Sequence, residues 1–214
     1  MIRDAETLKV LLDSVERFVQ ERLVPAENEV AETDQIPADI VADMKAMGLF
    51  GLTLPEAYGG LGVTMEEEVM VMLAMGQTSP CFRSLFGTTV GIGSLGILFD
   101  GTQEQKDKYL PRLASGECVA SFALTEPEAG SDLGAMKTRA VPIETDGEIT
   151  GYRINGAKQW ISNGSIADFM VVAARTGQGR DSSALTLFLV DTGTNEVLRG
   201  SDGETVQKVD PSTV

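Results

Sequence analysis

The 214-residue chain carries 17 Lys and Arg against 32 Asp and Glu, a formal charge of −15, and no histidine. The charge argues against nucleic acid and anionic membrane as partners, and the missing histidine removes Ser-His-Asp and Cys-His catalysis and the commonest metal ligand. A hydrophobic content of 43% with a mean hydropathy of +0.02 predicts a folded globular chain with room for one large domain or two small ones.

The start, MIRDAETLKVLLDSVERF, has an acidic, amphipathic rhythm where a signal peptide needs an apolar core. No stretch is expected to reach transmembrane length or insert stably in a membrane, and the expected location is cytoplasmic. Leu8, Leu11, Leu12, Val15, Phe18, Val19 and Arg22 recur at helical spacing, predicting a first helix that Pro25 ends or kinks. A second helix is expected over 37–48, from Pro37 to Gly48, because proline suits a helix start and glycine a helix stop. LTLPEAYGGLGVT is punctuated as a loop. Thr64, with Glu67 three residues on, predicts a capping box. The helix it opens has Val69, Met70, Met72, Leu73 and Met75, expected to pack in the core, with an adaptable docking surface as the alternative. Cys81 and Cys118 lack metal-ligand spacing and are expected to be small buried hydrophobes.

Gly91, Gly93 and Gly96 have the G-x-G-x-x-G spacing of a dinucleotide loop. No convincing strand precedes them and no βαβ unit follows, so the fingerprint lacks its context. They are assigned to a helix whose glycines admit a close neighbouring helix, at a propensity cost of up to ~1 kcal/mol each. TQEQKDKYLPRL follows as a further helix with Thr102 as N-cap and Gln105 at the capping-box position.

Beyond Gly116 the pattern changes. CVASFALT, MKTRAVPI, ITGYRINGAKQWIS, DFMVVAART and SALTLFLVD are short β-branched or aromatic runs separated by turn residues, predicting a β-domain. The fold class is therefore α+β, a helical domain over 1–116 followed by a sheet or barrel-like domain over 117–214. Two segments carry polar and aromatic chemistry. In ALTEPEAGSDLGA a strand end runs into a tight loop where Gly130 permits unusual backbone angles and Ser131 and Asp132 offer oxygens. In KQWISNG Trp160 offers a flat apolar face and Ser162 a hydroxyl. A planar heterocycle with a polar edge, such as a flavin, suits this pair. Each has a plainer alternative: Trp160 as a core residue and the Gly130 loop as only a turn.

LTEPEAGSD followed by QWISNG, with LPEAYGGLG, GTQEQKDKYLPRLASGE and GLFGLTLPE upstream, resembles the acyl-CoA dehydrogenases from the first helix to about Val190. The resemblance implies FAD, an acyl-CoA substrate, α,β-dehydrogenation of its thioester, and electron-transferring flavoprotein as acceptor. It implies a helical domain, a middle β-domain and a C-terminal four-helix bundle, assembled as a homotetramer. Matched residue by residue, Phe122, Ala123, Leu124, Thr125, Gly130 and Ser131 line the flavin, with Thr125 near its pyrimidine edge and Ser131 also touching acyl-CoA. Trp160, Ile161 and Ser162 border the ring, Ser162 in the place of the hydroxyl that meets N5. An oxidase or monooxygenase on the same scaffold, and a non-catalytic binder of flavin, acyl-CoA or a partner subunit, stay open beside the dehydrogenase. The family's catalytic glutamate belongs to the C-terminal bundle, so no catalytic base is assigned here. Glu126 and Glu128 match no base position. The run after Val190 is expected to lose the family's pattern, leaving a truncated chain with an incomplete middle domain, poor FAD binding and no turnover by itself.

Overall fold

The computed structural model describes residues 5–179, 182–192, 198–199, 205–206 and 208–209. The chain divides into two compact units, Met1–Val119 and Ala120–Val214.

The first unit is helical: α1 (Ala5–Phe18), α2 (Val24–Thr33), α3 (Ala38–Ala46), α4 (Met65–Met75), α5 (Pro80–Thr88), α6 (Leu95–Asp100) and α7 (Gln103–Ala114). The apolar spacing of the first segment delivers Val15, Phe18, Val19 and Leu23 to the core, beside Met44, Phe50, Val71, Phe82 and Phe86. Pro25 does not end that segment. A π turn at Val19–Leu23 joins α1 to α2, and Pro25 lands in the first turn of α2, where no N–H is required of it. On the turn's outer side Arg22 donates to Asp39 at 2.8 Å and Asp43 at 2.5 Å of α3.

Both capping boxes form. Thr64 accepts from the Glu67 amide as the Glu67 side chain accepts from the Thr64 amide, and Thr102 and Gln105 repeat the arrangement at α7. The core assignment on α4 is corrected in part. Val71, Ala74 and Met75 are buried, whereas Val69, Met70 and Leu73 are exposed. A helix that is apolar on nearly every side gives no pattern from which to choose its inward face. Between α3 and α4, backbone bonds Leu61 N to Gly51 O, Gly62 N to Leu54 O and Val63 N to Leu52 O fold the loop back on itself. Gly60 is required there, since a Cβ would stand 2.0 Å from the Leu54 carbonyl oxygen. Cys118 is buried and Cys81 half-buried.

The G-x-G-x-x-G stretch is helical, as its context requires. A second π turn, Thr89–Gly93, links α5 to α6, and the Ser94 hydroxyl donates to the Val90 carbonyl at 2.8 Å. The expected role is corrected for two of the three glycines, however. A Cβ on Gly91 or Gly96 would meet nothing within 4 Å, so neither makes room for a neighbouring helix. The length expectation is corrected too: Pro80–Asp100 is long and apolar enough to cross a membrane by length and composition, with half of that window buried inside the unit.

The second unit is a mixed sheet of β1 (Ala120–Ala123), β2 (Arg139–Thr145), β3 (Glu148–Asn155), β4 (Phe169–Arg175) and β5 (Leu185–Asp191). β4 is its axis. β5 runs antiparallel along all of β4, from Phe169 opposite Asp191 to Arg175 opposite Leu185. β1 runs parallel to the first part of β4, ending with Ala123 opposite Val172, and β2 meets it only at Arg139 opposite Arg175. The loop 124–138 therefore leaves the sheet where β1 stops and rejoins it where β2 begins. β2 and β3 form a hairpin through Asp146 (φ 55°) and Gly147 (φ 84°), two successive positive φ angles that match the twist of paired strands. Phe188, Ala174 and Ala140 pack with Tyr152 in one cluster, Met136, Ala129 and Ala173 with Leu124 in another. Two short pieces follow Asp191: β6 (Leu198–Arg199) pairs with β7 (Thr205–Val206), and β8 (Lys208–Val209) adds to β3. These pieces add strand pairing in the run expected to leave the middle domain incomplete. The run expected as strand through Ser162 is also shorter, since β3 ends at Asn155.

Gly91→Ala and Gly96→Ala follow from the open space around both helical glycines. Each should stabilise the chain by about 0.4–1 kcal/mol by restricting the unfolded state. Denaturant titration checks this, and a loss of stability at either position would mean a neighbour occupies that space.

Candidate functional site

Just past β1 the chain makes a tight turn in which the Glu126 amide donates to the Ala129 carbonyl at 2.9 Å and the Ala129 amide returns to Glu126 at 3.2 Å. The turn directs the Glu126 side chain inward, where the residue is only 4% exposed. Its carboxylate accepts from the Lys137 amide at 2.6 Å, the Thr138 amide at 3.0 Å and Lys158 Nζ at 2.9 Å. Lys158 Nζ also donates to the Leu124 carbonyl at 2.9 Å. The next residue continues the lacing: the Gln159 amide donates to the Thr125 carbonyl at 3.0 Å and its side chain to the Glu126 carbonyl at 3.3 Å. On the other side of the segment, the Ser121 hydroxyl donates to the Ser162 carbonyl at 2.7 Å. Gly156 lets the chain pass over this network, because a Cβ there would lie 2.2 Å from Thr138 Oγ1.

A buried carboxylate persists only when its charge and lone pairs are met. Here burial pushes the Glu126 pKa up, but hydrogen bonds from Thr138, Lys137 and Lys158 outweigh it and hold the group at about 2. Burial pulls Lys158 below its usual value, opposed by the bond to Glu126. A carboxylate so acidic, with three donors on it, is a poor proton acceptor near neutrality. Glu126 here ties the turn after β1 to residues 137–138 and to Lys158. Glu128 is exposed and paired with Lys137.

The structure brings most of the sequence-derived site residues together. Phe122 and Ala123 form the end of β1, Leu124 packs with Ala129 and Met136, and Thr125 is tied by its carbonyl to Gln159. Across from them stand Trp160, Ile161 and Ser162, which no strand carries. Trp160 is 85% exposed and so is not a core residue. Its φ is +58°, a left-handed conformation costing a non-glycine residue about 1–2 kcal/mol. Gly130 and Ser131 lie exposed beyond the Glu126–Ala129 turn, with no hydrogen bond to residues 158–162 among the described residues. Gly130 has no positive φ, and a Cβ there would meet nothing within 4 Å. The turn is closed before that position, so the expected backbone freedom is not used.

Lys158 is the residue that sequence reasoning missed. A lone lysine beside Gln159 carries no pattern, and only the fold sets it against Glu126, 32 residues earlier. Arg175 was missed likewise. It is buried, donating to the carbonyls of Met136 and Gly134 at 3.0 Å each and to Gly179. It lines an open cleft of about 280 Å³ with Lys137, Arg139 and Gln178, which contains none of the sequence-derived flavin residues. Among the described residues no cluster of His, Cys, Asp and Glu could hold a metal ion.

A helical unit followed by a mixed sheet defines an α+β chain of two compact units. The particular family follows from comparison. Residues 5–117 match the N-terminal domain of acyl-CoA dehydrogenases and residues 121–211 their middle domain, and the chain belongs to the acyl-CoA dehydrogenase family. It is 38% identical over 200 residues to the very long-chain specific acyl-CoA dehydrogenase of Macaca fascicularis, covering 91% of this chain and 30% of that protein. It is 36% identical to isovaleryl-CoA dehydrogenase of Solanum tuberosum, covering 88% and 45%. Among solved structures it is similar to the acyl-CoA dehydrogenase of Bacillus anthracis complexed with FAD, with a TM-score of 0.80 and 29% identity over 99% of this chain and 38% of that one. The chain thus spans less than half the length of these relatives. The middle-domain match runs to residue 211, which corrects the expectation that the family's pattern stops at about Val190.

Two outcomes test this site. Because the folded pKa of Glu126 lies near 2 against an ordinary 4.5, its contribution to stability is complete above pH 4.5 and is lost as pH falls through 2. Denaturant titrations between pH 2 and 6 should show that loss in the wild type and not in Glu126→Gln. Trp160→Gly should raise stability by about 1 kcal/mol, since it relieves the left-handed backbone and removes a side chain that is 85% exposed. A drop in the melting temperature of that variant would show that the indole packs on its own domain.

Proposed function

We propose that this chain supplies the flavin-facing part of an FAD-dependent acyl-CoA dehydrogenase, which removes two hydrogens from an acyl-CoA thioester and passes the electrons to electron-transferring flavoprotein. The observation that carries the reading is the exposed, strained indole of Trp160, set opposite the end of β1. A bulky residue keeps a left-handed backbone only where its surroundings over-determine it, and such positions cluster at functional sites.

The residues present fit a planar ring with a polar edge. Trp160 offers a flat apolar wall, and Thr125 and the exposed Ser162 offer hydroxyls beside it. Phe122 to Leu124 would back the ring, Trp160 and Ile161 would exclude water from one side, and Thr125 and Ser162 would bond its polar edge. Gly130 and Ser131, exposed on the neighbouring loop, would meet the ring's border and the acyl-CoA. FAD, when bound, supplies a two-electron acceptor. The chain's own contribution is to bind, orient and shield. Glu126 takes no proton in this scheme, being held ionised by its three donors. The family resemblance assigns the proton-accepting glutamate to the C-terminal bundle, and a homotetramer to the assembly.

Trp160 is the sole tryptophan of the chain, so its emission reports on this site alone. Weak binding by this chain still leaves FAD able to quench it saturably at high FAD concentration, and Thr125→Ala should weaken FAD several-fold further, the loss of one hydrogen bond worth about 0.5–1.5 kcal/mol. Fluorescence titration with FAD and, as a control, with AMP checks this. Absence of saturable quenching, or FAD affinity indifferent to both Thr125→Ala and Trp160→Ala, would overturn the assignment.

A further inference from the structure

Trp160 owes its place neither to burial nor to its own backbone preference, being 85% exposed at φ +58°. The segment 156–162 belongs to no helix or strand, so no ladder of backbone bonds holds it. What holds it is a set of tethers on both sides of the indole. Two residues before, Lys158 Nζ is fixed between the Leu124 carbonyl and the Glu126 carboxylate. One residue before, the Gln159 amide is bound to Thr125. Two residues after, the Ser162 carbonyl accepts the Ser121 hydroxyl. Trp160 is the apex between these anchors.

Stability alone does not explain an ion pair at this position. An apolar pair of similar volume is often as stabilising as a buried salt bridge, because both charges must be desolvated. Direction is what the pair adds. Glu126 gathers the backbone amides of Lys137 and Thr138 on one side and the Lys158 ammonium on the other, at 2.6, 3.0 and 2.9 Å. Three chain segments thus converge on one carboxylate with fixed angles, and the segment that ends in the strained tryptophan is one of them. A strained conformation lasts only while its neighbours hold, so loosening the anchor lets Trp160 relax.

We propose that Glu126 and Lys158 are positioning residues, whose buried pair, with the Ser121–Ser162 tether, sets the height and tilt of the Trp160 indole over the end of β1 for the flavin. The flavin part of this statement rests on the reading given under Proposed function. The positioning part concerns the protein alone.

The experiment uses the 214-residue chain and its single tryptophan. Lys158→Met removes the ammonium but leaves Glu126 its two backbone donors. Ser121→Ala cuts the other tether without touching a charge, and keeps the test in force should Lys158→Met fold poorly. Val190→Ala, buried in the cluster around Phe188, serves as a control that destabilises the same unit away from the site. Time-resolved anisotropy of Trp160 and FAD affinity are measured well below each melting transition. Lys158→Met and Ser121→Ala should both enlarge the fast, local component of the anisotropy decay. Both should weaken FAD by about 2- to 10-fold, the range of a single displaced aromatic contact. Val190→Ala should change neither. Wild-type anisotropy in the folded tether variants, or equal loosening in Val190→Ala, overturns the proposal. A wild type whose Trp160 emission is not quenched even at high FAD concentration refutes the flavin reading, and the anisotropy then decides the positioning part alone.

Discussion

The second unit depends on one buried ion pair. Glu126 and Lys158, with side chains 4% and 12% exposed, connect the end of β1, the start of β2 and the segment after β3, which the sheet alone does not hold together. β1 ends at Ala123 and β2 touches β4 only at Arg139, so the loop 124–138 lies between two anchored strands with no ladder of its own. Charges are the means by which that loop is ordered. The carboxylate accepts three bonds and the ammonium gives two, one to the carboxylate and one to backbone, a pairing under which a buried charge is tolerated.

Arg175 repeats the solution nearby with a cation and backbone carbonyls. It donates to Met136, Gly134 and Gly179, while its amide donates to the Thr138 carbonyl at 2.8 Å. Thr138 thus stands between the two networks, its amide on Glu126 and its carbonyl on Arg175. Residues 134–138 are fixed from both sides, and the loop reaches β2 in a defined register. A chain of net charge −15 spends two of its few cations inside this unit, which is intelligible only if their positions matter more than their effect on solubility.

The helical unit is built by different means. Caps, amphipathic stripes and two π turns order it, and its core is almost wholly apolar. The π turns at Val19–Leu23 and Thr89–Gly93 carry the helical runs on without a loop. Its exposed methionines and leucine on α4, and Phe99 at 72% exposure on α6, leave apolar surface that the unit itself does not cover. Membership of the acyl-CoA dehydrogenase family extends over both units, while the chain covers 30% to 46% of the curated relatives' length.

Local chemistry made a large part of this legible in the sequence. Thr64 and Thr102 announced their helices because a capping box needs only residues three apart. The glycine fingerprint was rightly set aside because its required context is also local. Strand positions in the second half were visible as β-branched runs, and the quoted loop motifs pointed to the family. Tertiary structure decided what depends on partners distant in sequence. It chose the buried face of α4, which an all-round apolar helix leaves undetermined. It kept the chain helical through Pro25 by a π turn, and it ended β3 at Asn155 so that Trp160 stands on a tethered apex, not on a strand. Above all it placed Lys158 against Glu126. A lysine and a glutamate 32 residues apart carry no sign of each other in the sequence, because their attraction acts only once the sheet has brought them within 3 Å and removed the water between them.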